Sequence, residues 1–140
     1  MKWTQRFLDL ASHVAQWSKD STQVGAVAVD PASRHVLEMG YNGPPRGVRD
    51  LPSRFERPDK YKYACHAEAS LVAHSARSVL AGSTVYVTHA PCCDCAKLLI
   101  NAGVSKVVYG GGTTNMNLDL FTAALTMFKE AGVEVEKANA

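Results

Sequence analysis

An α/β fold is what the 140-residue sequence predicts, and three observations predict it. Short β-branched and apolar runs recur at residues 24–29, 35–41, 83–88, 104–109 and 133–136. Stretches with apolar residues at helical spacing lie around and between them. From residue 64 onward the two kinds of segment alternate, which implies parallel strand pairing there. The first two runs are joined without a helix and read as a hairpin.

Taken in order, Thr4 caps a first helix that runs to about Lys19. Phe7, Leu8, Leu10, Ala11, Val14, Ala15 and Trp17 form its packed side. Asp20-Ser21-Thr22-Gln23 is a polar turn. The strand at 24–29 stops at Asp30-Pro31 and returns at 35–41. Gly40-Tyr41-Asn42-Gly43-Pro44-Pro45 is a shaped turn, followed by a long basic loop to Lys62. A helix is predicted over 64–80, with Cys65 as a small packed residue. His66, Ala69, Ser70 and Ala73 share one side of it and Glu68 stands off that side, so its first turn carries the chemistry. After the strand at 83–88, Pro91 suits the first position of a helix closed by Gly103. Beyond the strand at 104–109, residues 110–115 read as a flexible turn. A helix over 117–131 follows, with Leu118, Phe121, Leu125 and Phe128 on one face and Gly132 at its end. The whole reads as one domain, residues 1–140, with room for a core.

Composition narrows the function classes. Hydrophobic residues make up 46% and charged residues 20%, ordinary for a globular chain. The apolar runs are too short to span a membrane, and the N-terminus lacks the apolar centre of a signal peptide. A cytoplasmic location is expected. All four cysteines fall between residues 65 and 95, which suits a metal site in a reducing compartment better than a disulfide framework. Residues 44–62 hold Arg46, Arg49, Arg54, Arg57, Lys60 and Lys62 against Asp50, Glu56 and Asp59, a local +3 in a chain of net +2. Charge concentrated in one loop suits a phosphate group and argues against a broad nucleic-acid face.

The chemistry sits in Cys65-His66-Ala67-Glu68 and Pro91-Cys92-Cys93-Asp94-Cys95. His66, Cys92 and Cys95 offer one imidazole and two thiolates, a donor set suited to Zn2+. Three protein ligands leave a tetrahedral ion one open position, as a catalytic zinc requires. Glu68 is close enough to that position to move protons. A structural zinc closed by Cys65 or Cys93 is the competing reading, and it leaves Glu68 without a role.

With these motifs the chain resembles the deoxycytidylate (dCMP) deaminases of the zinc-dependent cytidine deaminase superfamily. The resemblance extends to Ser18-Lys19-Asp20-Ser21-Thr22-Gln23-Val24-Gly25-Ala26-Val27 and Gly40-Tyr41-Asn42-Gly43. It implies a three-layer α/β/α sandwich around a mixed five-stranded sheet. It also implies hydrolysis of dCMP to dUMP and ammonia, with Glu68 as proton shuttle and the product feeding thymidylate synthesis. Val24 would line the base pocket, Asn42 would contact the sugar, and the Ala67 backbone would hold the pyrimidine. Homo-oligomers, often hexamers, with dCTP as activator and dTTP as inhibitor are further implications. One or more of Arg46, Arg49, Arg54 and Arg57 is expected to bind phosphate, from substrate or effector. Two positions depart from the family pattern: Ser70 replaces the usual Asn, and residues 110–115 lack the usual basic or aromatic side chains. Another deaminase of the superfamily, acting on a nucleoside, a free base or tRNA adenosine, and a non-catalytic zinc module are the alternative functions.

Overall fold

Gly25–Val29 (β1) is buried along its whole length, because it lies inside the sheet with both faces covered. The computed structural model describes residues 2–114 and 116–138. In chain order the strands are β1, Val36–Tyr41 (β2), Thr84–His89 (β3), Lys106–Gly112 (β4) and Glu134–Lys137 (β5). Their order across the sheet is β2-β1-β3-β4-β5. β1 pairs antiparallel with β2 and β3, while β4 pairs parallel with β3 and β5. The predicted hairpin, the parallel half and the mixed five-stranded sheet are all present.

Helices cover both faces. Lys2–Ala15 (α1) lies on one, burying Phe7, Ala11 and Val14 against Val27 and Val29. Ala67–Ala73 (α3), Cys93–Asn101 (α5) and Leu118–Ala131 (α6) lie on the other. Their Leu71, Ala96, Leu99, Ala124 and Phe128 meet Ala26, Ala28, Val85 and Val87. Alternate residues of β1 and β3 thus serve opposite cores, the period-two rule of a strand. The layers form an α/β/α sandwich.

Several boundaries differ from the sequence reading. α1 starts at Lys2, so Thr4 is inside the helix and does not cap it. It ends at Ala15 because the next bonds tighten to i→i+3, Trp17 N to Val14 O and Ser18 N to Ala15 O. Trp17 is therefore outside the packed face, 48% exposed, edge-on to the Tyr41 ring. The helix predicted over 64–80 is two short ones, α3 and Arg77–Leu80 (α4). It starts late because Cys65 is extended and bonded to Gly43 in both directions, and it breaks where the His74 backbone and ring both take up the Ser70 carbonyl. β4 continues through Gly110–Gly112, which the sequence reading had as a turn, because these residues run beside the end of β3. Asn115 of that turn lies outside the described residues. On α6, Ala124 and Phe128 face the core, while Leu118 and Leu125 are exposed, so the predicted face is rotated. Asn117 does cap that helix, accepting from Asp119 N.

The basic loop holds a 3-10 turn at Pro52–Phe55 and a one-turn helix, Lys60–Tyr63 (α2). Two ion pairs fasten it to the chain between α1 and β1. Lys19 Nζ lies 2.9 Å from Asp50 Oδ2 at the surface, and Lys60 Nζ lies 3.0 Å from Asp20 Oδ1 with both side chains buried.

α3 crosses directly over β2 at Gly40. A Cβ there would stand 2.4 Å from the Ala67 carbonyl oxygen and 2.7 Å from Leu71 N, both backbone atoms. Gly40→Ala is expected to force α3 off the sheet and to destabilise by about 1–3 kcal/mol, the usual cost of overpacking. A thermal melt should read this as a fall of roughly 3–10 °C; an unchanged melt would refute the close contact.

Candidate metal centre and active site

Two helices begin at the same place. His66 occupies the cap position of α3 in extended conformation, and Cys92 occupies the cap position of α5. Cys95 is in the first turn of α5. Pro91 therefore stands one residue before the cap, not at the first helical position as predicted. The extended cap conformation is what turns the Cys92 thiol toward His66.

His66 Nδ1 lies 3.3 Å from Cys95 Sγ and 3.4 Å from Cys92 Sγ. All three donor atoms are within 4.8 Å of one another. Zinc–nitrogen and zinc–sulfur bonds at a tetrahedral angle place N and S about 3.6 Å apart, so the spacing fits zinc with slight expansion. Among the described residues no fourth His, Cys, Asp or Glu joins this group. Cys65 and Cys93 are half-buried and outside it, which removes the structural basis for a site closed by either.

The electrostatics of the three side chains favour a cation. The hydrogen bond from Cys95 and the bond to His66 push Cys92 down to about 4. The bond to the Cys92 thiolate, together with burial, pushes Cys95 strongly up. The Cys92 bond also raises His66. One thiolate forms readily, and a second beside it requires a compensating positive charge. A divalent ion provides that charge, and the two helix N-termini add to it.

Glu68 is the second residue of α3 and only 4% exposed. Burial, and the neighbouring Cys92 charge, push its carboxyl up to about 7 against the opposing pull of its backbone bond and His66. Glu68, His66 and Cys92 line one cavity of about 140 Å³.

The same cavity brings together Val24, Asn42, Ala67 and Arg57 from the sequence reading. Asn42 is heavily committed to the backbone: its Oδ1 accepts from Val24 N at 2.9 Å and its Nδ2 donates to Thr22 O at 2.7 Å. It staples the end of β2 to the start of β1. The other three arginines are outside this cavity. Arg46 lines a separate one beneath residues 40–43, and Arg54 bonds the Arg49 carbonyl with its guanidinium over the Tyr63 ring. Lys60 and His89 also line the Glu68 cavity, and sequence reasoning nominates neither as a site residue. Lys60 reads in the sequence only as a loop charge; its buried partner Asp20 is 40 positions away, and nothing local marks the pair. His89 sits three positions before Cys92, and its place beside the ligand motif was a signal available in the sequence.

Purified protein is expected to bind about one zinc per chain. Cys65→Ser and Cys93→Ser should each keep that metal, and metal analysis of both variants checks it. Loss from either would mean a fourth protein ligand.

The chain matches the family model of the cytidine and deoxycytidylate deaminase zinc-binding region over residues 1–111. It is 39% identical to an uncharacterized deaminase in the luxG 3′ region of Aliivibrio fischeri, over 96% of this chain and 92% of that protein. It is 36% identical to the deoxycytidylate deaminase of Homo sapiens, over 98% of this chain and 80% of that one. Among solved structures it is similar to the dCMP deaminase of cyanophage S-TIM5 in complex with dCMP and dUMP, with a TM-score of 0.76, 29% identity and coverage of 98% and 97%. The likeness runs the length of the chain and takes in the residues that gather at the metal centre, so the chain belongs to the cytidine and deoxycytidylate deaminase family of zinc-dependent hydrolases.

Proposed function

We propose that the chain deaminates dCMP to dUMP and ammonia, supplying deoxyuridylate for thymidylate synthesis. One juxtaposition carries this reading. The cavity lined by Glu68, His66 and Cys92 also has Arg57 and Lys60 in its wall. A cytosine base at the metal and an anionic phosphate at the cations match that arrangement. The names of the relatives, and the dCMP and dUMP in the cyanophage complex, support it.

A zinc ion held by His66, Cys92 and Cys95 supplies a Lewis acid that makes water a nucleophile near neutral pH. Glu68 takes one proton from the attacking water and passes it to N3 of the pyrimidine as the new C–O bond forms at C4. It then moves the proton of the new C4 hydroxyl to the amine as the C4–N bond breaks, so that ammonia leaves and C4 becomes a carbonyl. Burial of Glu68 keeps bulk water from competing for that proton. Val24 walls the base, the Ala67 backbone holds the pyrimidine, and Asn42 offers its remaining amide hydrogen to the sugar.

The phosphate falls to Arg57 and Lys60. Arg57 is held by its Nε bond to the Tyr61 hydroxyl, and Lys60 by its bond to Asp20. Only one ammonium hydrogen is used by Asp20, which leaves two for the substrate. Arg46, at the other cavity, is the candidate contact for a dCTP or dTTP effector.

Ammonia release should be measured with dCMP, deoxycytidine, cytosine and tRNA in parallel. dCMP is expected to be strongly preferred, and preference for any other would overturn the substrate assignment. Arg57→Gln, and Lys60→Met combined with Asp20→Asn to avoid a lone buried charge, should each raise the KM for dCMP. A charge-assisted bond of about 1.5–3 kcal/mol corresponds to roughly ten- to a hundredfold. Turnover of deoxycytidine should be unaffected, and Arg46→Gln, Arg49→Gln and Arg54→Gln should leave the preference for dCMP in place.

Glu68→Ala is expected to keep the metal and lose more than about a hundredfold in turnover, the usual contribution of a general acid–base group. Metal loss in that variant would assign Glu68 to coordination instead.

A further inference from the structure

His89 ends β3, and its ring borders two cavities. One is the catalytic cavity; the other, of about 380 Å³, is lined by Gln23, Thr88 and Gly110–Gly112 among others. Three features hold the ring. A Cβ on Gly112 would fall 2.5 Å from Cε1 and 2.6 Å from both ring nitrogens. Three nearly equal distances mean that the ring lies face-on over Gly112; an edge-on approach through Cε1 would leave both nitrogens well behind. Any side chain at residue 112 would occupy the ring's place. The β3–β4 register also shifts between Val87 and His89, opposite Gly112, an irregularity of the kind that re-aims a side chain beside a site.

Thr88 supplies the third restraint. Its Oγ1 accepts from Gly25 N at 3.2 Å and lies 2.7 Å from His89 Nδ1. The hydroxyl can donate or accept in this bond, according to the ring tautomer; when it donates, the ring proton is on Nε2. A supporting hydrogen bond of this kind is what selects a histidine tautomer. Burial pushes the pKa of His89 down, which keeps the ring neutral at physiological pH. A neutral imidazole with one face covered and Nδ1 occupied has Nε2 left for a contact in the cavity. The proposed deamination gives it no part, and a cytosine nucleotide presents oxygen acceptors on base, sugar and phosphate.

We propose that His89 contacts the bound nucleotide, donating from Nε2–H to one of its oxygens, and that Gly112 and Thr88 are its positioning residues. This rests on the nucleotide-deaminase reading above. The glycine at 112 is required by the ring that lies on it.

The test is steady-state kinetics on zinc-loaded protein, using whichever cytosine compound the wild type turns over. His89→Ala should raise KM about three- to tenfold, the worth of one neutral hydrogen bond, with kcat changed less than about twofold. His89→Gln, which keeps an amide donor, should recover most of the loss. Gly112→Ala should reproduce the loss by displacing the ring, and the double variant should be no worse than His89→Ala alone. An unchanged KM in His89→Ala, or a fully additive double variant, overturns the proposal. If Gly112→Ala fails to fold, the comparison of His89→Ala with His89→Gln decides. A wild type inactive on dCMP but active on another cytosine compound sinks the substrate assignment alone, and the same comparison on that compound still judges His89. Inactivity on all of them sinks both.

Discussion

Two buried thiols and an imidazole cannot all take their metal-binding states without a positive charge among them. Cys92 ionises by drawing on Cys95 and His66, and that same bond holds the proton on Cys95. Everything nearby serves this constraint. Two helices start at one point, so their N-terminal dipoles add to the field of the ion. Cys92 and Cys95 are anchored by a helix whose Ala96 and Leu99 are fully buried, and His66 by a helix whose Ala67 and Leu71 are fully buried. The donor atoms are therefore spaced by the core, and the ion enters a geometry that already exists.

The placement of α3 sets what the cavity can hold. Glu68 follows His66 by two positions but belongs to the helix proper, so it reaches the cavity from another direction than the imidazole. The extended pairing of Cys65 with Gly43 draws the turn after β2 against the start of α3. Asn42, between them, is locked to both Thr22 and Val24. Val24, Glu68 and His66 are thus parts of one connected frame.

What the sequence made legible was local. Ligand chemistry is carried by residue types at fixed short spacings, and the strands by β-branched alternation, so His66, Cys92, Cys95 and the five strands were readable one segment at a time. What escaped depended on distant partners. The late start of α3 comes from a bond between residues 43 and 65. The role of Lys60 appears only with Asp20 beside it. Gly110–Gly112 looked like a turn because glycine is common there; their strand character comes from the register against β3. Trp17 carries the periodicity of its helix but sits two residues beyond the helix end.

The two ion pairs of the basic loop have opposite polarity. Adjacent residues Lys19 and Asp20 hold Asp50 and Lys60 respectively. A slip of the loop by one position along that dipeptide would bring either Asp50 to Asp20 or Lys60 to Lys19, according to its direction, like charge against like. One of these contacts is buried, where repulsion is screened least. The loop therefore has a single electrostatic alignment on the body of the protein, keyed in the way that a two-pin plug fits its socket in one orientation.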